Sequence, residues 1–188
     1  MRHSRILVQD IPYHVFARGN NRQTLFHGDE DRLFYLGMLD KAHKKFDFTV
    51  FSYVLMSNHF HLLLQMLRTS TLSALMHWLQ LGYARYYGQK YKHVGHVFQS
   101  RYFSPVVERD NYFLTVDRYI HLNPVKKHLC DDPAEYRYSS AYPGWKLDPV
   151  PQGLKPTSMV THVGTAEAVP FQSQNTSVLS SSEFFHRR

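Results

Sequence analysis

The stretch 47–66, DFTVFSYVLMSNHFHLLLQM, constrains the fold more than any other part of the sequence. Two apolar runs of strand length are separated only by Ser57 and Asn58. Such a pair with a short turn-forming link reads as an antiparallel hairpin, with strands over 47–56 and 59–66. Side chains of a strand alternate between faces. His59, His61, Leu63 and Gln65 therefore share one face, while Phe60, Leu62, Leu64 and Met66 share the other. The second face is wholly apolar and must be covered, so the rest of the chain has to supply helices to pack on it.

The flanking sequence supplies them. Residues 12–18, PYHVFAR, alternate as a strand does, and Gly19-Asn20-Asn21 then turns the chain. Asp29 is placed to cap a helix over about 30–46, where Leu33, Phe34, Met38, Ala42 and Phe46 fall near helical spacing. Thr69 or Ser70 caps a second helix over about 71–88, carrying Leu72, Leu75, Met76, Leu79, Tyr83 and Tyr86. Residues 96–108 read as extended, and Pro105 marks them as an edge or irregular strand. Asp110 opens a third helix over about 111–122, which Pro124 ends or bends. This order predicts an α+β fold: a ferredoxin-like (RRM-like) sandwich, an antiparallel sheet with helices on one face.

Composition sets the remaining bounds. A length of 188 residues suits one domain, or one domain and a tail. Beyond Asp148 the sequence turns rich in Ser, Thr, Pro and Gln, so we expect a domain over 1–148 and a weakly ordered tail over 149–188. Hydrophobic residues at 43% and aromatics at 15% exclude a wholly disordered chain. The single cysteine, Cys130, excludes an intramolecular disulfide and a four-cysteine zinc site. No apolar run approaches the roughly 18 residues of a membrane span. Ile6, Leu7 and Val8 are too few for a signal-peptide core. The expectation is a soluble protein of the cell interior, without a membrane partner. Its net charge of +7 permits nucleic acid as a partner.

Two short constellations can carry chemistry. His59 and His61 place two imidazoles side by side, able to chelate one divalent ion through neutral ring nitrogens. Taken alone, His-x-His is short enough to arise by chance, and two hydrogen-bonded histidines are its commoner meaning. The second constellation is DRYIHLNPV, residues 117–125. Tyr119 and Asn123 lie four apart, on one helix face, and Tyr112 and Val116 extend the stripe. A tyrosine there is usually core with its hydroxyl at the rim. Yet a phenol beside a metal-bound phosphate can also act as a nucleophile and form a phosphotyrosine. Together the motifs describe two histidines and an amide oxygen holding a divalent ion, with a tyrosine poised to attack phosphorus.

Five segments, in order, resemble one family. MSNHFHLLL is similar to the Met-Pro-Asn-His-x-His-Leu-Leu signature of HUH-type tyrosine transposases, and RYIHLNPVK to their nucleophile segment. YHVFARGNNRQTLF, GHVFQSRYFSPVV and PAEYRYSSAY resemble the opening strand and the segments before and after the catalytic helix. The resemblance covers about residues 10–145 and is nearest the REP-associated tyrosine transposases of bacteria. It implies a ferredoxin-like fold, Mg²⁺ or Mn²⁺, and cleavage of single-stranded DNA at palindromic (REP-type) hairpins through a covalent 5′-phosphotyrosine. By position, His59 and His61 are metal ligands and Tyr119 is the nucleophile. Asn123 stands where insertion-sequence relatives carry a metal-binding Gln, with a shorter arm. Ser57 replaces a common Pro, and Phe98 a common Trp. The resemblance also implies a bacterial cytoplasmic, nucleoid-associated enzyme, acting as a monomer or homodimer.

The charge is concentrated near this motif. Between Arg85 and Lys127 stand eight basic residues (Arg85, Lys90, Lys92, Arg101, Arg109, Arg118, Lys126, Lys127) and three acids (Glu108, Asp110, Asp117), leaving +5 of the +7. Tyr83, Tyr86, Tyr87, Tyr91, Phe98, Tyr102 and Phe103 interleave with them, a pattern suited to single-stranded DNA, where bases stack and phosphates pair. About half of these rings are expected to pack the core instead. Arg18, Asn20, Asn21 and Arg22 form a second candidate patch, since Arg and Asn suit base edges. The residues singled out for DNA are Arg18, Asn20, Asn21, Arg22, Arg85, Arg101, Tyr102, Arg118, Lys126 and Lys127. His121 points away from Tyr119 and is expected at the surface. Two other readings remain: a domesticated, catalytically silent hairpin-binding protein, and an unrelated metal hydrolase. The hydrolase would need carboxylate ligands, and neither the strand over 59–66 nor the Tyr119–Asn123 face carries an acid.

Overall fold

The computed structural model describes residues 11–67, 71–107 and 110–144. The expected caps at Thr69 and Ser70 and the expected tail over 149–188 lie outside the described residues. Strand β1 runs Pro12–Arg18, helix α1 Asp29–Ala42, strand β2 Phe48–Leu55, strand β3 His59–Met66, helix α2 Leu72–Tyr91, helix α3 Asp110–His121 and the single turn α4 Asn123–Lys126. The sheet is antiparallel in the order β1-β3-β2. The α+β class and the hairpin stand as read from the sequence. Among the described residues no helix is long and apolar enough to cross a membrane.

The central position of β3 follows from its composition. It carries the most continuous apolar run and is buried almost throughout. Phe60, Leu62, Leu64 and Met66 join Tyr13, Val15 and Ala17 of β1 and Tyr53 and Leu55 of β2 in one core. Helices α1 and α2 cover that core with Tyr35, Leu36, Leu39, Leu75, Met76, Leu79 and Tyr83. Gly82 of α2 faces α1, where the flexible end of the Met38 side chain packs against it.

The opposite face has a smaller core of its own. Val54, Met56, Leu63, Val107, Val116 and Ile120 pack together, joined by Phe51 and Phe113. Helix α3 therefore lies across the sheet from α1 and α2. The helix layer expected on one face is α1 with α2, and the helix after it covers part of the other. A bulge in β2 aids this arrangement. The register shifts between Val50 and Ser52, so Phe51 and Ser52 both fall on the α3 side.

Two helix starts moved from the expected ones. Helix α1 begins after Gly28 rather than being capped by Asp29, because the buried Asp31 carboxylate takes the His27 and Gly28 backbone N–H groups at 2.7 and 3.2 Å. Helix α2 is capped by Thr71, whose hydroxyl accepts from the Ala74 N–H at 3.2 Å, and it continues to Tyr91. Of the segment 96–108, expected as an extended edge or irregular strand, residues 97–107 keep that character and join β1 through isolated bridges. Asn20 N–H bonds to Val97 O, Gln99 N–H to Arg18 O, Phe103 N–H to Phe16 O and Val107 N–H to Pro12 O. Pro105 has no N–H to add to this ladder and only accepts, from His14 N–H at 3.0 Å.

Helix α2 is tied to α1 by one polar node. The Asp31 carboxylate is fully buried and receives Lys90 Nζ at 2.7 Å, Tyr91 Oη at 2.8 Å and Tyr86 Oη at 2.9 Å. Burial alone would raise its pKa. The hydrogen bonds from Lys90, Tyr91, Tyr86 and the His27 N–H prevail and hold it at about 2.

Candidate active site

The strand register builds the site. Antiparallel pairing sets Phe16 opposite His61 and Arg18 opposite His59, and His14 opposite Leu63. Partners in a pair point to the same face. His14, Phe16, Arg18, His59 and His61 therefore gather on the α3 side of the sheet. The two motif histidines lie edge to face, ring centroids 5.2 Å apart. Tyr119 on α3 meets them, its ring centroid 5.5 Å from that of His61 and 5.9 Å from that of His14. Tyr119 is partly exposed, whereas His61 is buried.

His14 is the residue that sequence reasoning missed. Its Nε2 lies 2.9 Å from His61 Nδ1, and the two rings stack at 5.1 Å. The only signal for it is the alternation His14-Phe16-Arg18 in a strand that pairs with the motif strand. No spacing within the sequence reveals that pairing.

Each motif histidine has its Nδ1 engaged. His59 Nδ1 donates to Asn58 Oδ1 at 2.6 Å, and Asn58 is itself held by its amide on Arg22 O at 3.4 Å. His61 Nδ1 is engaged by His14. All three rings are kept neutral. Burial lowers His14 to about 4. Burial, then the charges of Lys127 and Arg18, lower His59 to about 4, against a hydrogen bond to Asn123 that raises it. Burial, then His14 and His59, push His61 well below the ordinary range. Neutral imidazole is the form that binds a metal ion.

Asn123 completes the cluster. It is buried, and its Nδ2 donates to the Tyr119 carbonyl at 2.8 Å, one turn back. That leaves its amide oxygen for the His59 side. Here α3 breaks, because Pro124 cannot donate to the Ile120 carbonyl. The break, read from Pro124, turns α4 so that Lys126 Nζ sits 5.0 Å from the centre of the Tyr119 ring.

The candidate DNA residues divide into groups. Arg18, Lys126 and Lys127 gather at the lip of the cluster, the first and last acting on His59 and Lys126 standing over Tyr119. Asn20, Asn21 and Arg22 form an exposed 3₁₀ turn next to the hairpin turn. Gly19 N–H bonds to Asn58 O at 2.9 Å, and the Leu25 and Phe26 N–H groups bond to Ser57 O. Gly19 suits this turn because a Cβ would overlap the Gln23 carbonyl oxygen. Asn21 and Arg22 both adopt left-handed backbone, at φ 48° and 59°, and for Arg22 that is strained. Arg118 is exposed beside Tyr119 on α3, and Arg101 is exposed on the edge segment. Arg85 is exposed on α2, in the layer across the sheet, and is not brought to the site.

Tyr102 is a correction. Expected to stack on bases, it is buried in the main core with its hydroxyl 3.2 Å from Ser73 Oγ. Side chains of an extended segment alternate, so Tyr102 faces α2 while Phe103 faces out. Tyr83 and Tyr87 are likewise buried, Tyr86 and Tyr91 serve Asp31, and Phe98 packs near Phe60 and Tyr83. His121, expected at the surface, instead ties α3 to the segment after it, its Nε2 2.8 Å from Ser140 Oγ.

A sheet with two histidines from its central strand, facing a helix tyrosine, defines a class of site rather than one enzyme. Comparison with known proteins narrows it. The model of the family described as IS200-like transposase matches residues 7–123. The chain belongs to that family. The structure of a REP-associated tyrosine transposase bound to a REP hairpin aligns over 90% of this chain and 99% of that one, at 14% identity and a TM-score of 0.65. A putative transposase from Deinococcus radiodurans aligns over 64% of this chain and 95% of that one, at 17% identity and a TM-score of 0.45. No curated protein matches.

Proposed function

We propose that this transposase cleaves and rejoins single-stranded DNA beside palindromic hairpins, with Tyr119 as nucleophile. The observation that carries the reading is the meeting of Tyr119 with His59, His61 and Asn123 on one face, beneath a lip of positive charge. The REP hairpin bound by the structural neighbour supports a hairpin as the partner.

The residues fit a divalent ion. Among the described residues no three His, Cys, Asp or Glu side chains form a ligand cluster, so the available donors are two imidazoles and an amide. With its Nδ1–H on Asn58, neutral His59 turns a bare Nε2 toward the Asn123 side, where an amide oxygen is also an acceptor. The Asn123 contact that favours a proton on His59 would equally favour a metal cation at that place. His61 reaches the same place if its Nδ1–H donates to His14, the usual arrangement for a ligating histidine. Bound there by His59, His61 and Asn123, Mg²⁺ or Mn²⁺ would polarise the phosphate oxygens and stabilise the charge that develops on them.

The chain's own groups do the rest. Tyr119 Oη attacks phosphorus, the P–O3′ bond breaks, and the 3′-oxygen leaves while the 5′-phosphate stays on the tyrosine. The phosphotyrosine conserves the bond energy, so a 3′-hydroxyl can later attack it and free Tyr119 without ATP. Lys126 places its ammonium beside the attacking ring, and Arg18 and Lys127 place theirs where the backbone phosphates must lie. Burial of His14 and His61 keeps both neutral, so neither repels the ion.

A cleavage assay on single-stranded hairpin DNA, with and without Mg²⁺ or Mn²⁺, tests this reading. We expect metal-dependent cleavage with protein joined to the 5′-phosphate. Hairpin binding with no cleavage under either metal would favour a binding protein instead.

A further inference from the structure

One aromatic pair belongs to neither core. Phe103, on the edge segment, is 58% exposed. It lies flat on Phe16, ring centroids 4.9 Å apart and planes 11° apart. The stack is rigid because the two residues exchange both backbone hydrogen bonds, at 2.9 and 3.0 Å. Phe16 in turn leans on His61 at 5.6 Å, and His61 on Tyr119 at 5.5 Å. A ladder of rings thus runs from open solvent to the proposed nucleophile.

The surroundings select the occupant. Arg18 lies on the same face of β1 as Phe16, two residues on, and its Nε donates to Gln99 of the edge segment at 3.1 Å. Gln99 N–H bonds back to Arg18 O at 3.0 Å, which fixes the segment beside the charge. A flat apolar ring with one face covered and one open, flanked by a cation, suits a planar base on a phosphate backbone better than a purely apolar ligand. The ring-to-ring steps to Tyr119 are short enough for one strand to engage both within a few nucleotides.

We propose that the open face of Phe103 is a stacking site for one unpaired nucleobase of the strand whose phosphate reaches Tyr119. Phe16 backs the ring and Arg18 pairs the adjoining phosphate. The proposal rests on the DNA-cleavage reading and adds to it a subsite that holds the single-stranded flank in line.

The test is fluorescence anisotropy without added metal, with a labelled hairpin bearing a single-stranded flank, and the same hairpin without the flank. Phe103→Ala should weaken binding of the flanked hairpin by about fivefold or more and leave the bare hairpin unchanged. An abasic site at one flank position should weaken the wild type by a similar factor and Phe103→Ala no further. Phe103→Trp should retain wild-type affinity and show fluorescence quenching on binding. Thermal unfolding should be alike in all three, since the ring is exposed. Equal affinity of Phe103→Ala and wild type for the flanked hairpin, or abasic effects that persist undiminished in the variant, would overturn the stacking site alone. Failure of the wild type to bind either oligonucleotide would overturn the DNA reading with it.

Discussion

Phe60 and His61 are neighbours on β3, yet they belong to two different environments. Phe60 points into the core under α1 and α2, fully buried among aliphatic and aromatic side chains. His61 points to the other face, among His14, His59, Phe16 and Tyr119. The first face is closed by two long helices. The second is closed at one end by Val116 and Ile120 of α3, and beside them the histidines are only part-covered, with His61 buried and Tyr119 reaching solvent. The difference shows how one central strand divides labour. Its apolar face fixes the fold, and that rigidity positions the polar face.

Breaking the closed face should have the largest effect. Phe60→Ala leaves a cavity in a core with no room to relax, and we expect a loss of about 3–5 kcal/mol in urea unfolding. A loss below 1 kcal/mol would show that this face does not anchor the sheet. Asp31→Asn removes the polar tie between the two helices and should cost about 2–3 kcal/mol. The sign of its pH dependence is fixed. The folded carboxyl sits at about 2, below its ordinary 3.8, so its contribution is present above pH 4 and lost as pH falls toward 2. The acid limb of the wild type over that range should be missing in the variant.

The open face should respond in binding rather than in folding. His14→Leu removes the group that holds His61 Nδ1, and Mn²⁺ affinity by titration calorimetry should fall about 10–100-fold. Unchanged affinity would show that His14 does not hold the tautomer. The same variant should be less sensitive to mild acid. His14 is lowered to about 4, so it contributes stability above pH 6.5 that is lost as pH falls toward 4. Lys126→Ala should change stability by no more than about 0.5 kcal/mol and reduce the slope of log affinity against log salt by about 0.7, one phosphate contact on a single strand. An unchanged slope would remove Lys126 from the DNA path.

The legible parts of this molecule are those written in local pattern. The alternation of 59–66 and the Ser57-Asn58 turn gave β2 and β3, and Pro124 gave the break after Leu122. Tyr119, His59, His61 and Asn123 were readable as motifs, and the structure brings them together. What failed depended on partners distant in sequence. The position of His14 depends on the register with β3, 47 residues away from its partner His61. Tyr102 and Phe103 are adjacent and chemically alike, and only the pairing of the edge segment with β1 sends one to the core and the other outward. The cap position of α1 moved to Gly28 because Lys90, Tyr86 and Tyr91 of α2 hold the Asp31 carboxylate where it takes the Gly28 N–H. The bulge at Phe51 has no signature in the run, since Val50 and Phe51 are both apolar while they face opposite cores.

The central claim is that the open face carries the nucleophile. Wild type and Tyr119→Phe should be incubated with Mn²⁺ and a hairpin oligonucleotide labelled at its 3′ end, then resolved on a denaturing gel. The wild type should give a labelled band at the mass of a protein–DNA adduct, and Tyr119→Phe none, with its hairpin binding retained. An adduct or full cleavage with Tyr119→Phe would contradict the account.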